Sequence, residues 1–202
     1  MLGEKGRGFQ KAVFGPVARL LVRLGVSPDA VTITGAVATA AISFGLVARG
    51  YLVAGSLLLG LVLVTDSIDG TMARTLGRHS RWGAFLDSTL DRMADACVYL
   101  AIALAVQRFD DPFEPVTYGF ALAIVPLALI VSYARARAEA VGVDAHHGLA
   151  ERTDRLIVSL LGVLLVGLGL PLWVLTIALG YVAVASAITI VQRMAAVKRA
   201  EP

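Results

Sequence analysis

Disulfides, charge and repeats are what this chain lacks. Its 202 residues contain a single cysteine, Cys97, so no intrachain disulfide can brace the fold. In an apolar chain such a cysteine reads as a small core residue rather than a nucleophile. Asp, Glu, Lys and Arg together make up 16% of the residues, while 57% are hydrophobic. An ordinary soluble domain has no use for so much apolar surface, so the composition excludes that class and predicts an all-α integral membrane protein. There is no internal repeat and no low-complexity tract. The basic start has no compact apolar run ending in a cleavage site, so no removable signal is expected. His146 and His147 are adjacent, without the spacing of a metal-ligand pair, and read as loop residues; His79 sits in a linker.

Apolar segments of spanning length are abundant. A bilayer core of about 30 Å takes about 20 apolar residues per helix. Six segments qualify, near 31–49, 52–74, 83–107, 116–138, 154–170 and 172–193. Gly50-Tyr51, the Asp-Asp-Pro-Phe-Glu-Pro stretch at 110–115 and Pro171 mark the turns on one side. Before the first span, Phe9, Val13, Val17, Leu20, Leu21 and Leu24 fall near one face, with Lys11, Arg19 and Arg23 away from it. Pro16 breaks or kinks that stretch, and Ser27 or Asp29 is placed to cap the first span. The expected architecture is one membrane domain over 1–202. Six transmembrane helices follow a short amphipathic juxtamembrane helix within 1–28. Trp82 and Trp173 read as interfacial anchors.

Charge is scarce but sorted. Lys5, Arg7, Lys11, Arg19 and Arg23 precede the first span, and Arg74, Arg78 and Arg81 lie between the second and third. Arg135, Arg137, Arg152 and Arg155 flank the loop between the fourth and fifth, and Arg193, Lys198 and Arg199 close the sixth. With six spans, all of these fall on one side, and only Arg49 and Arg108 fall on the other. The positive-inside bias puts both termini and the basic side in the cytoplasm. Such polarity suits anionic lipid and phosphorylated substrates. Nucleic acid is not an expected partner, because the basic groups sit at span ends.

The acids are the informative residues. Asp66, Asp69, Gly70 and Ala73 stand at i, i+3, i+4 and i+7, and Gly83, Asp87 and Asp91 at i, i+4 and i+8. Each set shares a helix face. Carboxylates in apolar segments are costly unless paired or bound to metal. Four of them on two neighbouring helices suit hard divalent ions, above all Mg²⁺, with Mn²⁺ able to take its place. Two such ions could clamp a phosphoryl group. Gly70, Ala73 and Gly83 have little or no side chain, so a phosphate or nucleotide could lie against the backbone there. Arg74 sits at the mouth, placed for a bidentate hold on phosphate. Asp95 extends the acidic face one turn deeper and reads as an interhelical hydrogen-bond partner. Arg92, beside Asp91, reads as turned away and structural.

These residues fit the pattern D-x2-D-G-x2-A-R-x8-G-x3-D-x3-D at every fixed position. In this the chain resembles the CDP-alcohol phosphotransferases, which move a phosphatidyl-type group from a CDP-linked lipid to an alcohol and release CMP. The resemblance implies that Asp66, Asp69, Asp87 and Asp91 hold two Mg²⁺ ions and that Asp91 also takes the acceptor's hydroxyl proton. It implies that Gly70, Arg74, Ser80 and the stretch Asp29-Ala30-Val31-Thr32 contact the CDP moiety. It also implies a homodimer, CDP-diacylglycerol as donor, and a site on the cytoplasmic side of a bacterial plasma membrane.

The acceptor is not written in that pattern. Ser132 and Arg135 are i, i+3 at the end of span four, Arg152 and Arg155 are i, i+3 opening span five, and Arg193 closes span six. Converging span ends would make an anion pocket, which a phosphorylated alcohol needs and a free one does not. The run SYxxARAEA, then ERxxRLIV, then QR resembles the phosphatidylinositol-phosphate synthases of actinobacteria, implying that these five residues bind inositol phosphate. Those enzymes often carry Lys where this chain has Arg135, which keeps the charge and changes its geometry. Arg137 and Glu139 read as a structural pair or as solvent-facing. Two other readings stay open: glycerol 3-phosphate as acceptor, and a proton-coupled transporter using the Asp residues as a relay. A membrane scaffold would leave the four acids unexplained.

Overall fold

The computed structural model describes Pro16, Leu20 and residues 23–65, 80–145, 148, 149 and 151–200. Most of the expected amphipathic segment lies outside the described residues, as do Asp66, Asp69, Gly70, Ala73, Arg74, His79, His146 and His147. Among the described residues the chain forms α1 (Pro28–Gly45), a 3₁₀ turn (Val47–Arg49), α2 (Leu52–Thr65), α3 (Arg81–Val106), α4 (Glu114–Ala140), α5 (Arg152–Gly167) and α6 (Trp173–Arg199), and no strand.

The ends follow local chemistry. Ser27 caps α1, its Oγ accepting from the Ala30 amide at 3.1 Å, with Pro28 in the first turn, where a missing N–H costs nothing. Ser80 caps α3 in the same way, accepting from the Gly83 amide at 2.8 Å. Gly50 closes the 3₁₀ turn at φ +90°, a conformation that suits glycine. Pro115 and Glu114 open α4, the acid favouring the positive end of the helix dipole.

Among the described residues, three helical stretches are long and apolar enough to cross a membrane: Pro28–Arg49, Glu114–Ala140 and Trp173–Arg199. Of the six expected spans, the others fall short of that measure for visible reasons. α2 and α5 have 14 and 16 described residues, and α3 carries Asp91, Arg92 and Asp95 in its middle. α6 shows how one sequence serves both environments. Leu175, Leu179, Val182, Ser186 and Thr189 form its buried face, while Ile177, Tyr181, Val184, Ile188 and Val191 form an exposed apolar stripe.

α3 packs between α1 and α4; α6 packs against α4 and α5; α2 packs against α5. Small residues set the closest approaches. A Cβ on Gly162 of α5 would meet the Ala178 Cβ of α6 at 2.9 Å, and one on Gly167 would meet the Leu52 Cβ at 2.8 Å. Such contacts let helices approach where apolar burial gives little drive. The core centres on Tyr99, Ile102, Ile124, Leu175 and Leu179 and runs to Val47, Val106 and Leu172 at one end. The other end of the same helices carries the charge.

Candidate active site

The first turns of α3 place Asp87, Asp91 and Asp95 on one face at successive turns, increasingly enclosed. The Asp91 side chain is 17% exposed and that of Asp95 only 4%. Burial at that depth demands a partner, and α5 supplies it. Arg152 Nη1 lies 2.9 Å from Asp91 Oδ1, while its Nε donates to Asp95 Oδ1 at 3.0 Å. One guanidinium thus bridges two carboxylates a turn apart. Arg155, 2% exposed, approaches the other Asp95 oxygen at 3.9 Å. Asp95 therefore has the interhelical role expected of it. Removing its charge would take one of two carboxylates from Arg152 and weaken the counter-charge beside buried Arg155.

α4 and α6 bring the rest. The buried stripe of α6 ends at Arg193, 5% exposed, whose guanidinium donates to the Val131 carbonyl of α4. One residue further along α4, Ser132 accepts from Arg92 Nη1 and donates back to the Ala128 carbonyl at 3.1 Å. Arg135 pairs with Glu139 at 2.9 Å. Of the two readings of Arg137 and Glu139, solvent exposure is the one seen, since both residues are exposed and Glu139 partners Arg135. Residues four apart share a helix face and residues two apart do not, so Arg137 is left exposed.

Arg92 requires the larger correction. It does not turn away from Asp91: its Nη2 lies 3.4 Å from Asp91 Oδ2 while Nη1 holds Ser132. Nothing in the sequence announces this contact, because Arg92 and Ser132 are 40 positions apart and meet only through the packing of α3 on α4.

A cavity of about 1170 Å³ opens among these residues. Asp87, Asp91, Arg92, Ser132, Arg135, Arg152, Arg155 and Arg193 line it, with Glu139 and Glu151. All five residues read as the anion pocket share it with the two described members of the carboxylate quartet. Among the described residues no three His, Cys, Asp or Glu side chains converge as a cation site; Asp66 and Asp69, the other two acids expected at one, lie outside them.

The residues read as nucleotide contacts gather at the start of α1 and α3. A Cβ on Gly83 would lie 3.4 Å from Ser80 Oγ and 3.5 Å from Asp29 Oδ1, so both residues lie beside Gly83. Thr32 lines a cleft of about 30 Å³ together with Asp91, Asp95 and Arg152. Room for a single water is of that order. Ala30 is exposed and Val31 half-buried on the same turn.

This helical array, with acids on α3 facing arginines from α4, α5 and α6, belongs to a known class. Residues 25–191 match the CDP-alcohol phosphatidyltransferase family, and the chain belongs to it. Within the family it is similar to proteins named phosphatidylinositol phosphate synthase. The one from Cutibacterium acnes is 43% identical, with 99% of each chain covered. That from Streptomyces avermitilis is 40% identical over 98% of this chain and 83% of the relative. The fold matches crystal structures of Mycobacterium tuberculosis phosphatidylinositol phosphate synthase at 36% identity. The structure with CDP-DAG bound has a TM-score of 0.84, covering 92% of this chain and 94% of that one. The complex with manganese and citrate also has a TM-score of 0.84, covering 92% and 88%.

Proposed function

We propose that this chain transfers the phosphatidyl group of CDP-diacylglycerol to inositol phosphate, giving phosphatidylinositol phosphate and CMP. The observation that carries the reading is the cavity that puts Ser132, Arg135, Arg152, Arg155 and Arg193 beside Asp87 and Asp91. Five arginines line it against four carboxylates. With Asp87 and Asp91 committed to cations, the positive charge is in clear excess, and a phosphorylated alcohol is what balances it. The names and bound donor of the similar proteins support the same reaction.

The donor set fits a hard divalent ion. Asp87 and Asp91 are half-buried carboxylates one turn apart on one face, and Asp66 and Asp69 would complete the set for two Mg²⁺, or Mn²⁺. Such ions, when bound, neutralise charge on the attacked phosphate and the departing oxygen. Every other task falls to side chains. Asp29, Ala30, Val31, Thr32, Ser80 and Gly83, with Gly70, Ala73 and Arg74, hold the CDP moiety. The arginines hold the acceptor phosphate. Asp91 accepts the hydroxyl proton, the freed oxygen bonds to the lipid-side phosphorus, and the bond to CMP breaks with its electron pair leaving on CMP. Arg152 keeps its hold on Asp95 through Nε, so the nitrogen now on Asp91 is the one an incoming phosphate would take.

The wider setting is part of the same proposal. The whole of 1–202 acts as one membrane domain, with 1–28 at the interface. α1 to α6 make six crossings, both termini and the cavity face the cytoplasm, and the chain works as a homodimer in a bacterial plasma membrane. The test offers CDP-diacylglycerol with inositol phosphate or glycerol 3-phosphate and identifies the lipid formed. Phosphatidylinositol phosphate is expected, with loss of activity in chelator. Preference for glycerol 3-phosphate, or undiminished activity in chelator, contradicts the reading.

A further inference from the structure

We propose that Arg92 is a positioning residue that sets the distance between the proton-accepting carboxylate and the acceptor pocket, an inference that rests on the reaction above. Its two terminal nitrogens divide their work: Nη2 faces Asp91 Oδ2 at 3.4 Å and Nη1 donates to Ser132 Oγ. Its Nε is buried with no hydrogen-bond partner among the described residues, so those two contacts orient the fork. Ser132 is committed as well. Its lone pair takes Arg92, and its hydrogen goes to the Ala128 carbonyl at 3.1 Å. The serine hydroxyl therefore buttresses Arg92.

The consequence is geometric. A phosphorylated polyol must place its phosphate among the arginines of α5 and α6 and its hydroxyl at Asp91 at the same time. The Arg92 brace ties the α3 turn bearing Asp91 to the α4 turn bearing Ser132, so it fixes one edge of that span. Asp87, Glu139, Glu151 and the other four arginines line the same cavity. A planar fork can hold two partners at once, whereas a lysine ammonium is a point charge on a flexible stem.

The experiment uses the full chain in lipid nanodiscs and compares Arg92→Met, Arg92→Lys, Ser132→Ala and the double variant Arg92→Met/Ser132→Ala. Arg92→Met keeps the apolar stem and should lower kcat with inositol phosphate about 10²-fold, the scale of a misplaced reacting group, without changing the KM for CDP-diacylglycerol. Ser132→Ala should lower kcat less. The double variant should be no worse than Arg92→Met, because both changes remove one brace. Arg92→Lys should recover only part of the rate. Additive losses in the double variant, full recovery by lysine, or a loss of rate that merely follows a fall in melting temperature would overturn the inference. Wild-type protein that ignores inositol phosphate overturns the proposed function instead, and the coupling is then measured with whichever acceptor it uses.

Discussion

Where α1 turns through Val47–Arg49 into α2, the chain is sealed: Val47 has no exposed surface, Val106 and Leu172 are buried in the same core, and Arg108 Nε closes the turn by donating to the Ala48 carbonyl at 2.8 Å. At the other end of the same helices, the buried groups are Asp95, Arg155 and Arg193, and a cavity of about 1170 Å³ separates the helix ends. The sealed end relies on apolar contact and close helix approach, which have one best arrangement. The charged end relies on ion pairs with shared partners: Arg152 serves Asp91 and Asp95 at once. Pairs of that kind can be exchanged for a ligand without unpacking a core. The lesson is a division of labour along each helix, with rigidity at one end and replaceable charge at the other.

Variants at the charged end should break chemistry first. Asp91→Asn should cut CMP release by about 10³-fold or more, since the proton acceptor is lost, while the protein still folds; CMP release and a melting curve on the same sample check this. Asp95→Asn should come next. It removes one of the two carboxylates on Arg152 and the acid beside buried Arg155, and should destabilise the protein by about 3 kcal/mol, read as a lower melting temperature in detergent. Arg193→Ala should raise the KM for inositol phosphate about 10- to 100-fold, and that for CDP-diacylglycerol little, if the charge acts on the acceptor. Equal rises in both constants would mean a packing role.

Variants at the sealed end should do the reverse. Gly162→Val forces a side chain against Ala178 and Leu175 and should lower stability by about 1–3 kcal/mol with substrate constants unchanged in the folded fraction. The smallest effect is expected for Thr117→Val. It removes the buried 2.6 Å hydrogen bond between Thr117 and Thr176, a class of contact worth about 0.6 kcal/mol in membranes, and should leave activity intact.

What the sequence shows of this division is uneven. The sealed end is legible from its punctuation: Gly50, Asp110–Pro115 and Pro171 fall where helices end. The acidic face of α3 is legible because i, i+4 spacing survives folding unchanged, and so is the inward turn of Arg155 and Arg193. The Arg92 contact is not legible, because its chain neighbours say nothing of where a long side chain reaches once α4 packs alongside. The Arg152 bridge is hidden for the same reason: both its partners sit on another helix. The exposure of Arg137 and Glu139 is legible, and the Arg135–Glu139 pair is within reach of the i, i+4 rule. Helix α6 runs to Arg199, beyond the expected end near 193, because basic residues continue it past the apolar stretch.

The most direct measurement compares inositol phosphate with unphosphorylated inositol as acceptors for the same CDP-diacylglycerol, in the wild-type chain and in Arg193→Ala. If the arginine-lined cavity takes the acceptor's phosphate, the wild type should favour the phosphorylated form in kcat/KM by about 10³-fold or more, as sites built around a polar contact reject analogues lacking it. Arg193→Ala should shrink that preference. Equal use of both acceptors by the wild type would contradict the assignment of the cavity and the function drawn from it.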